Sequence, residues 1–262
     1  MAQTSALINV MTAAARKAAR ALSRDFGEVE QLQVSRKGPS DFVSAADLKA
    51  EKTIYEELAK ARPGYGFLME ERGEVEGTDK TNRWIVDPLD GTSNFLHGIP
   101  HFAISIGLER EGVLVAGVVY NPVRDELFWA EKGAGAYLND RRLRVAARAD
   151  LRDALIATGT PWHGRPGHKQ FLEECERVIG VTAGIRRFGS ASLDLAYVAA
   201  GRFDGFWERN LSAWDVAAGA IIVREAGGFV KEIDGGDFLK TGAVIAANER
   251  LLPLLTKTVR GA

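Results

Sequence analysis

Two carboxylates flank a proline directly after a short apolar run, in the segment Trp84-Ile-Val-Asp87-Pro-Leu-Asp90-Gly-Thr92. The ring of Pro88 fixes its φ angle and therefore stiffens the spacing between Asp87 and Asp90. Gly91 permits a close backbone approach, and the N–H groups of the turn that follows favour an anion. Carboxylate pairs beside an anion-binding turn are what metal-assisted phosphate chemistry requires. The segment also fits a solvent-exposed turn, because Asp, Pro and Gly are all common turn residues.

Further acidic residues stand where predicted elements begin or end. Glu70-Glu71 follows the apolar run 67–69, Asp47 begins a predicted helix, and Asp215 begins another. A carboxylate in the first turn of a helix is stabilised by the helix dipole, so a purely structural role for Asp215 stays open. Whether these acids join the pair that flanks the proline depends on how the elements pack.

The N-terminal part of the sequence predicts two helices and then a run of strands. Apolar residues at helical spacing predict an amphipathic helix over 7–22 and a second helix over 46–61. A short strand over 84–86 ends at the first carboxylate of the pair. Strand-like segments with short connections follow at 102–108, 113–120, 126–131, 136–138 and 142–145. Consecutive strands with short connections predict a largely antiparallel sheet.

From about residue 150 onward, predicted strands and helices alternate. The predicted strands are 155–158, 185–188, 203–207, 229–233 and 243–247, and the predicted helices are 167–179, 191–200, 213–226 and 250–259. This alternation indicates a second sheet that is covered by helices. No Pro/Ser-rich linker separates the two patterns. We therefore predict a single compact catalytic unit with an N-terminal half at about 1–147 and a C-terminal half at about 148–262.

The overall charge is close to zero, with 34 Lys and Arg residues against 35 Asp and Glu residues among 262. This balance argues against a generally basic protein that coats nucleic acid or a membrane surface. The single cysteine, Cys175, excludes an intrachain disulfide and a cysteine-based zinc site, and it favours a cytoplasmic protein. The sequence contains no apolar run long enough for a membrane helix and no glycine-rich nucleotide-binding motif.

Three separated motifs resemble those of the inositol monophosphatase family, a group of lithium-sensitive, magnesium-dependent phosphatases. They are Glu70-Glu71, Asp87-Pro-Leu-Asp90-Gly-Thr92 and Trp214-Asp215-Val-Ala-Ala-Gly219. The intervening Gly189-Ser-Ala191 and the segment 199–208 fit too, and the resemblance covers nearly the whole chain. Together with the strand pattern, it predicts an α+β fold layered as an αβαβα sandwich. A largely antiparallel sheet would occupy the N-terminal half, and a mixed sheet with helices the C-terminal half.

The resemblance also implies roles for individual residues. Two to three Mg²⁺ ions would be held by oxygen ligands from Glu70, Asp87, the Leu89 carbonyl, Asp90 and Asp215. The attacking water would be oriented by Thr92 together with Asp47 or Glu71. The phosphate and the substrate hydroxyl groups would contact Asp90, Gly91, Thr92, Ser190, Ala191, Glu208 and Asp215. The chain departs from the family pattern at Met69, where Gly or Thr is usual before the glutamate pair.

The implied activity is hydrolysis of inositol monophosphate or a similar small sugar or polyol phosphate by a homodimer. Related enzymes hydrolyse fructose 1,6-bisphosphate, histidinol phosphate or 3′-phosphoadenosine 5′-phosphate. Arg186 and Arg187 offer charges that a second phosphate would need, and pairing with surface acids is the alternative role for them. An alternative of another class is a regulatory protein, because some bacterial relatives act beside the transcription machinery. The arginine-rich segment 141–152 would then contact RNA or protein, although a solvent-exposed face is the simpler interpretation.

Overall fold

The computed structural model describes residues 4–28, 34–38 and 41–262, with the backbone alone for 34–38 and 41–44. Within these ranges the chain forms eight α-helices and fifteen strands. None of the helices in these ranges combines the length and the apolar character that a membrane span requires.

Two long helices cover one face of the larger sheet. Helix α1 (Ala6–Phe26) begins after Ser5, whose hydroxyl oxygen accepts a hydrogen bond from the Ile8 N–H. Helix α2 (Ala45–Ala61) packs against α1 and buries Ile54 and Leu58. Both helices are amphipathic, because their apolar residues recur once per turn and pack together against the sheet. The two helices predicted from the sequence are therefore confirmed.

The larger sheet is almost entirely antiparallel. Its strands are β3 (Tyr65–Met69), β4 (Gly73–Val75), β5 (Asp79–Asp90), β6 (Ala103–Arg110), β7 (Val113–Asn121), β8 (Glu126–Glu131), β9 (Gly135–Leu138) and β10 (Arg141–Arg142). Their order across the sheet is β10-β9-β8-β7-β6-β5-β3-β4, and only β3 and β5 are parallel neighbours. A short helix, α3 (Thr92–Leu96), connects β5 to β6. A separate hairpin pairs β1 (Val34–Gly38) with β2 (Asp41–Ser44).

The strand that carries the two carboxylates is longer than the sequence pattern predicted. The predicted strand covered 84–86, whereas β5 continues through Pro88 to Asp90. Proline has no N–H to donate to a neighbouring strand, so it is tolerated in a sheet at an edge or a bulge. Asp87 pairs with Ser105 and Asp90 pairs with Ala103, so two residues of β5 lie opposite one residue of β6. This bulge allows the strand to contain the proline and to end on the second carboxylate.

The smaller sheet is mixed. Its strands are β11 (Leu155–Thr158), β12 (Gly184–Arg186), β13 (Gly205–Glu208), β14 (Phe229–Glu232) and β15 (Val244–Ala247), in the order β12-β11-β13-β15-β14. Strand β11 is parallel to both neighbours, and β15 is antiparallel to both of its own. A 3-10 turn at Leu151–Asp153 precedes the sheet. The helices of this half are α4 (His168–Ile179), α5 (Ala191–Ala199), α6 (Ala213–Glu225), α7 (Phe238–Thr241) and α8 (Leu251–Arg260).

Helices α5 and α6 lie between the two sheets. All residues of α5 are buried, and one core cluster joins this helix to Phe128 of the larger sheet and Phe206 of the smaller one. On the outer face of the smaller sheet, α4 and α8 cover Trp207 and Ile245. The layers therefore follow the order helix, sheet, helix, sheet, helix, and the α+β fold predicted from the sequence is confirmed. The division into halves near residue 147 stays a prediction.

Candidate active site

Asp87 and Asp90 lie at the end of β5, where the chain turns into α3. Their side chains are buried, with 2% and 8% of their surface exposed. The Oδ1 atom of Asp87 accepts a hydrogen bond from the Leu89 N–H at 2.9 Å. Gly91 follows with a φ angle of 95°, a left-handed conformation that glycine adopts without steric cost. These carboxylates are therefore not the side chains of a solvent-exposed turn.

Asp90 is tied to the first turn of α5, about a hundred residues further along the chain. Its Oδ2 atom accepts hydrogen bonds from the Ser190 hydroxyl at 2.6 Å and from the Ser192 N–H at 2.8 Å. The Ser192 hydroxyl donates to the same oxygen at 2.5 Å. Burial raises the pKa of Asp90, and the hydrogen bonds from Ser190, Ser192 and the Ala191 N–H offset part of that rise. The residues predicted for the substrate wall, Ser190 and Ala191, thus border Asp90.

The Glu70-Glu71 pair forms the turn between β3 and β4. Met69, which precedes the pair, is fully buried in the core under α1 and α2. The Glu71 N–H donates a hydrogen bond to the Oε2 atom of Glu51 on α2 at 2.8 Å. The Arg72 guanidinium lies over the ring of Tyr55, also on α2, at 4.3 Å from the ring centroid. A buried anchor and two contacts with α2 therefore fix this turn beside the end of β5.

Asp47 and Thr92 meet between α2 and α3. Asp47 is fully buried in the first turn of α2, one turn before Glu51. The Thr92 hydroxyl oxygen lies 3.1 Å from the Oδ1 atom of Asp47 and 3.0 Å from the carbonyl oxygen of Leu89. A hydroxyl group has one proton, so it donates fully to one of these acceptors at a time. The residue pair predicted to orient a water molecule is therefore in direct contact.

Glu208 and Asp215 approach the same region from the smaller sheet. Glu208 is the last residue of β13, and Asp215 is in the first turn of α6. The Oδ2 atom of Asp215 accepts a hydrogen bond from the Ser212 N–H at 2.7 Å, so the structural role that the sequence left open is present. Gly159, which follows β11, lies so close to the Glu208 carboxylate that a Cβ atom at this position would overlap with it.

The acidic side chains raise one another's pKa. Burial, followed by the charges of Glu70, Asp90 and Asp215, raises the pKa of Asp87 well above its ordinary value. Burial and the charges of Asp90 and Glu70 raise the pKa of Asp215 to about 8. Burial and the charges of Asp215 and Asp90 raise the pKa of Glu208 to about 8. The fold therefore brings the carboxylates of both halves into one electrostatic group.

The chemistry of this group fits a hard divalent cation. Its donors are carboxylate oxygens and the Leu89 carbonyl, which are the ligands that Mg²⁺ prefers in proteins. A bound cation would also offset the mutual repulsion that raises these pKa values. Across the described ranges, however, no group of three or more His, Cys, Asp or Glu side chains is already arranged as a metal cage. The fit therefore rests on donor chemistry and charge.

The sequence did not predict roles for four residues that the structure adds to the site. Glu51 is one helical turn after Asp47, a spacing that could have revealed it. Ser192 directly follows the predicted substrate wall. Gly159 and Asp194 gave no local signal. Asp194 is buried, its Oδ1 atom has no hydrogen-bond partner within the described part of the chain, and burial and the charges of Glu208 and Asp90 raise its pKa well above the ordinary value.

The arginines singled out by the sequence are partly engaged within the protein. Arg148 forms an ion pair with the buried Asp204 at 2.9 Å, and Arg152 forms one with Asp150 at 2.6 Å. Both arginines belong to the segment 141–152, which therefore presents less unpaired positive charge than its composition suggests. Arg187 donates a hydrogen bond to the Thr160 hydroxyl at 3.1 Å, and its charge lowers the pKa of Glu208. This arginine thus lies at the rim of the acidic group.

Comparison with known proteins places the chain in a family. It matches the model of the inositol monophosphatase family over residues 3–262. A protein of Mesorhizobium japonicum named inositol-1-monophosphatase is 64% identical over 257 residues, which are 98% of this chain and 97% of that protein. A Pseudomonas aeruginosa protein named Nus factor SuhB is 44% identical, with 97% of this chain and 96% of that protein covered. The crystal structure of extragenic suppressor protein suhB from Bartonella henselae has a TM-score of 0.95 at 60% identity, over 98% of this chain and 99% of that one. The chain therefore belongs to the inositol monophosphatase family.

Proposed function

We propose that the chain is a Mg²⁺-dependent phosphomonoesterase and that inositol monophosphate is a substrate. The observation that carries this proposal is the electrostatic group of Glu70, Asp87, Asp90 and Asp215, whose members raise one another's pKa at the end of β5. The relative named inositol-1-monophosphatase, at 64% identity, supports the substrate.

Two to three Mg²⁺ ions would be held by Glu70, Asp87, the Leu89 carbonyl, Asp90 and Asp215. Bound Mg²⁺ would supply an activated water and stabilise the leaving oxygen, which phosphate monoesters need because they hydrolyse extremely slowly unaided. The chain itself supplies the negative charge that would bind these ions. Asp87 and Asp90 are buried at the end of β5, whereas Glu70 in the turn after β3 and Asp215 in the first turn of α6 are partly exposed. The two sheets and the helices between them hold these elements in place.

Thr92 would orient the attacking water. When its proton is donated to Asp47, its oxygen retains lone pairs that can accept a hydrogen bond from a water molecule. Proton transfer through a positioned side chain of this kind contributes about 10²–10⁴-fold to a rate. Glu71 is an alternative partner for the same water. The N–H groups of Gly91 and Thr92 would hold the phosphate, because the turn after β5 brings them next to these residues.

Glu208 and Asp215 would accept hydrogen bonds from the substrate hydroxyl groups, beside the wall of Ser190 and Ala191. A polyol offers many such donors, which suits carboxylates better than a second anion does. Arg187 already lowers the pKa of Glu208 through its charge, so a second phosphate at this arginine would compete with that carboxylate. The site therefore favours a monophosphorylated polyol over fructose 1,6-bisphosphate or 3′-phosphoadenosine 5′-phosphate, with histidinol phosphate as the remaining monophosphate alternative.

Phosphate release from a panel of these esters tests the proposal. With purified protein and Mg²⁺, kcat/KM should be highest for inositol monophosphate, and Li⁺ or EDTA should abolish the release. A higher kcat/KM for one of the other esters would reassign the substrate while keeping the phosphatase. No release from any ester in the presence of Mg²⁺ would refute the phosphatase proposal itself.

A homodimer is part of the proposal. Ile99 and Phe188 are exposed apolar residues, and both are tied to Asn94, whose carbonyl accepts the Ile99 N–H while its side chain donates to the Phe188 carbonyl. Exposed apolar side chains on two segments that are joined in this way suit a contact between subunits. Light scattering of the purified protein should give twice the mass of the chain, and a monomer at micromolar concentration would contradict the dimer.

A regulatory role beside transcription is the second candidate. It is favoured by the relative named Nus factor SuhB at 44% identity, and it is compatible with retained catalysis. Binding to RNA should then weaken steeply as salt rises, because contacts with phosphates release counterions. A binding signal that does not change with salt, or no binding at all, would exclude RNA contact through the segment 141–152.

A further inference from the structure

Three hydrogen bonds converge on one oxygen of Asp90. The donors to Oδ2 are the Ser190 hydroxyl at 2.6 Å, the Ser192 N–H at 2.8 Å and the Ser192 hydroxyl at 2.5 Å. Ser190 is the residue that precedes α5, yet its side chain accepts no hydrogen bond from that helix. The first turn of α5 is instead capped by the Asp90 carboxylate, which belongs to the larger sheet. One residue, Ser192, supplies two of the three bonds.

The donors belong to a rigid part of the molecule. Every residue of α5 is buried, and the helix packs between the two sheets in one core cluster. A carboxylate that accepts bonds from such a helix is held in one rotamer, since moving it would break all three bonds together. Hydrogen bonds to an ionised acceptor are also stronger than those between neutral groups. The orientation of Asp90 is therefore set by α5 as much as by its own strand.

We infer that Ser192 is a positioning residue, whose hydroxyl holds Oδ2 of Asp90 against α5 so that Oδ1 is presented to the cation. This inference rests on the proposed function, since it takes Asp90 as a ligand of Mg²⁺. Ser192 has no exposed surface, so it has no access to a substrate, and any effect on binding must pass through Asp90. Groups that orient a metal ligand in this way change metal affinity by about 10–100-fold when they are removed.

Isothermal titration calorimetry of Mg²⁺ into metal-stripped protein measures the affinity and tests the inference without measuring turnover. Ser192→Ala should bind Mg²⁺ about tenfold more weakly than the unchanged protein. A matched control is Thr256→Ala on α8, which also loses a hydroxyl that is bonded inside the protein, to the Leu252 carbonyl at 2.7 Å. The control should keep the original affinity. Melting curves of all three proteins show whether the variants fold.

The outcomes separate this inference from the proposed function. If the unchanged protein binds no Mg²⁺, the proposed function fails and the inference fails with it. If the unchanged protein binds Mg²⁺ and Ser192→Ala binds it within twofold of the same affinity, only the inference is overturned, and Ser192 merely stabilises α5. If the alanine variant does not fold, Ser192→Cys keeps the side-chain volume with a weaker donor. The inference then requires weaker Mg²⁺ binding by Ser192→Cys, and unchanged binding overturns it.

Discussion

The Thr92 hydroxyl oxygen lies 3.1 Å from the Oδ1 atom of Asp47, although 45 residues separate the two in the chain. The same hydroxyl is 3.0 Å from the Leu89 carbonyl, which belongs to the predicted metal ligands. Thr92 therefore stands between a buried acid on α2 and the end of β5. If a cation bound the Leu89 carbonyl, as proposed, Asp47 would be the preferred acceptor for the Thr92 proton.

Replacing Thr92 with valine removes the hydroxyl while keeping the volume and branching of the side chain. We expect Thr92→Val to lower kcat by about 10²–10³-fold, because the attacking water loses its acceptor. Mg²⁺ affinity should stay within twofold, since the carboxylates are untouched. Thr92→Ser, which retains the hydroxyl, should keep most of the rate. Equal kcat values for the valine variant and the unchanged protein would remove Thr92 from the mechanism.

Gly159 leaves room for the Glu208 carboxylate, and a methyl group there would displace it. We expect Gly159→Ala to lower kcat/KM for inositol monophosphate by at least about tenfold, mainly through KM, if Glu208 binds substrate hydroxyl groups. A suitable control is Gly180→Ala after α4, where φ is −64° and the added Cβ meets no atom closer than 3.4 Å. Unchanged kinetics in Gly159→Ala would show that the position of Glu208 does not matter for substrate binding.

The raised pKa of Glu208 predicts a pH-dependent stability. Its pKa is about 8 in the folded chain against an ordinary 4.5, so the folded state binds more protons than the unfolded state between these values. The metal-free protein therefore loses stability as the pH rises from about 4.5 to about 8, because the unfolded chain releases the Glu208 proton while the folded chain retains it.

Glu208→Gln stays neutral over the same range. Relative to the unchanged protein, its free energy of unfolding in EDTA should increase by about 1–2 kcal/mol between pH 5 and pH 8.5, less than the full pKa shift implies because the carboxylate is partly exposed. Denaturant titrations at the two pH values measure this difference. A constant difference between the two proteins would mean that the carboxylate is not perturbed.

Two buried aspartates should respond in opposite ways to loss of their charge. Asp194 has an Oδ1 atom with no partner in the described part of the chain, and its pKa is raised, first by burial. Asp204 accepts hydrogen bonds from Arg148 at 2.9 Å and from the Leu155 N–H at 2.8 Å. In EDTA at pH 8, we expect Asp194→Asn to be at least as stable as the unchanged protein. Asp204→Asn should lose about 1–3 kcal/mol. A loss of that size in Asp194→Asn would mean that its charge is compensated.

Local sequence chemistry predicted the parts of the site that lie within one element. The apolar run before Asp87 predicted a strand end, and helical spacing predicted that Asp47 and Asp215 stand in first turns, as they do. The strand itself extends further, because the bulge at Pro88 lets an otherwise strand-breaking residue stay in the sheet. The resemblance, rather than spacing, supplied the roles of Glu208 and Ala191.

Contacts between distant elements could not be predicted from one sequence. Ser192 meets Asp90 across 102 positions because α5 packs between two sheets. The need for glycine at position 159 arises only because β11 and β13 are neighbours, which brings Glu208 against it. Glu51 likewise gains its partner, the Glu71 N–H, from the packing of α2 beside the turn after β3. Each contact depends on tertiary packing that no local pattern encodes.

We propose that the carboxylates at the end of β5 hold the ions for phosphate hydrolysis, and replacing Asp90 tests this proposal most directly. Asp90→Asn keeps the shape of the side chain and an oxygen for the donors of α5 but removes the charge. Phosphate release from inositol monophosphate at saturating Mg²⁺ should fall by at least about 10³-fold, with a melting curve that still shows a folded protein. Release at the rate of the unchanged protein would contradict the claim.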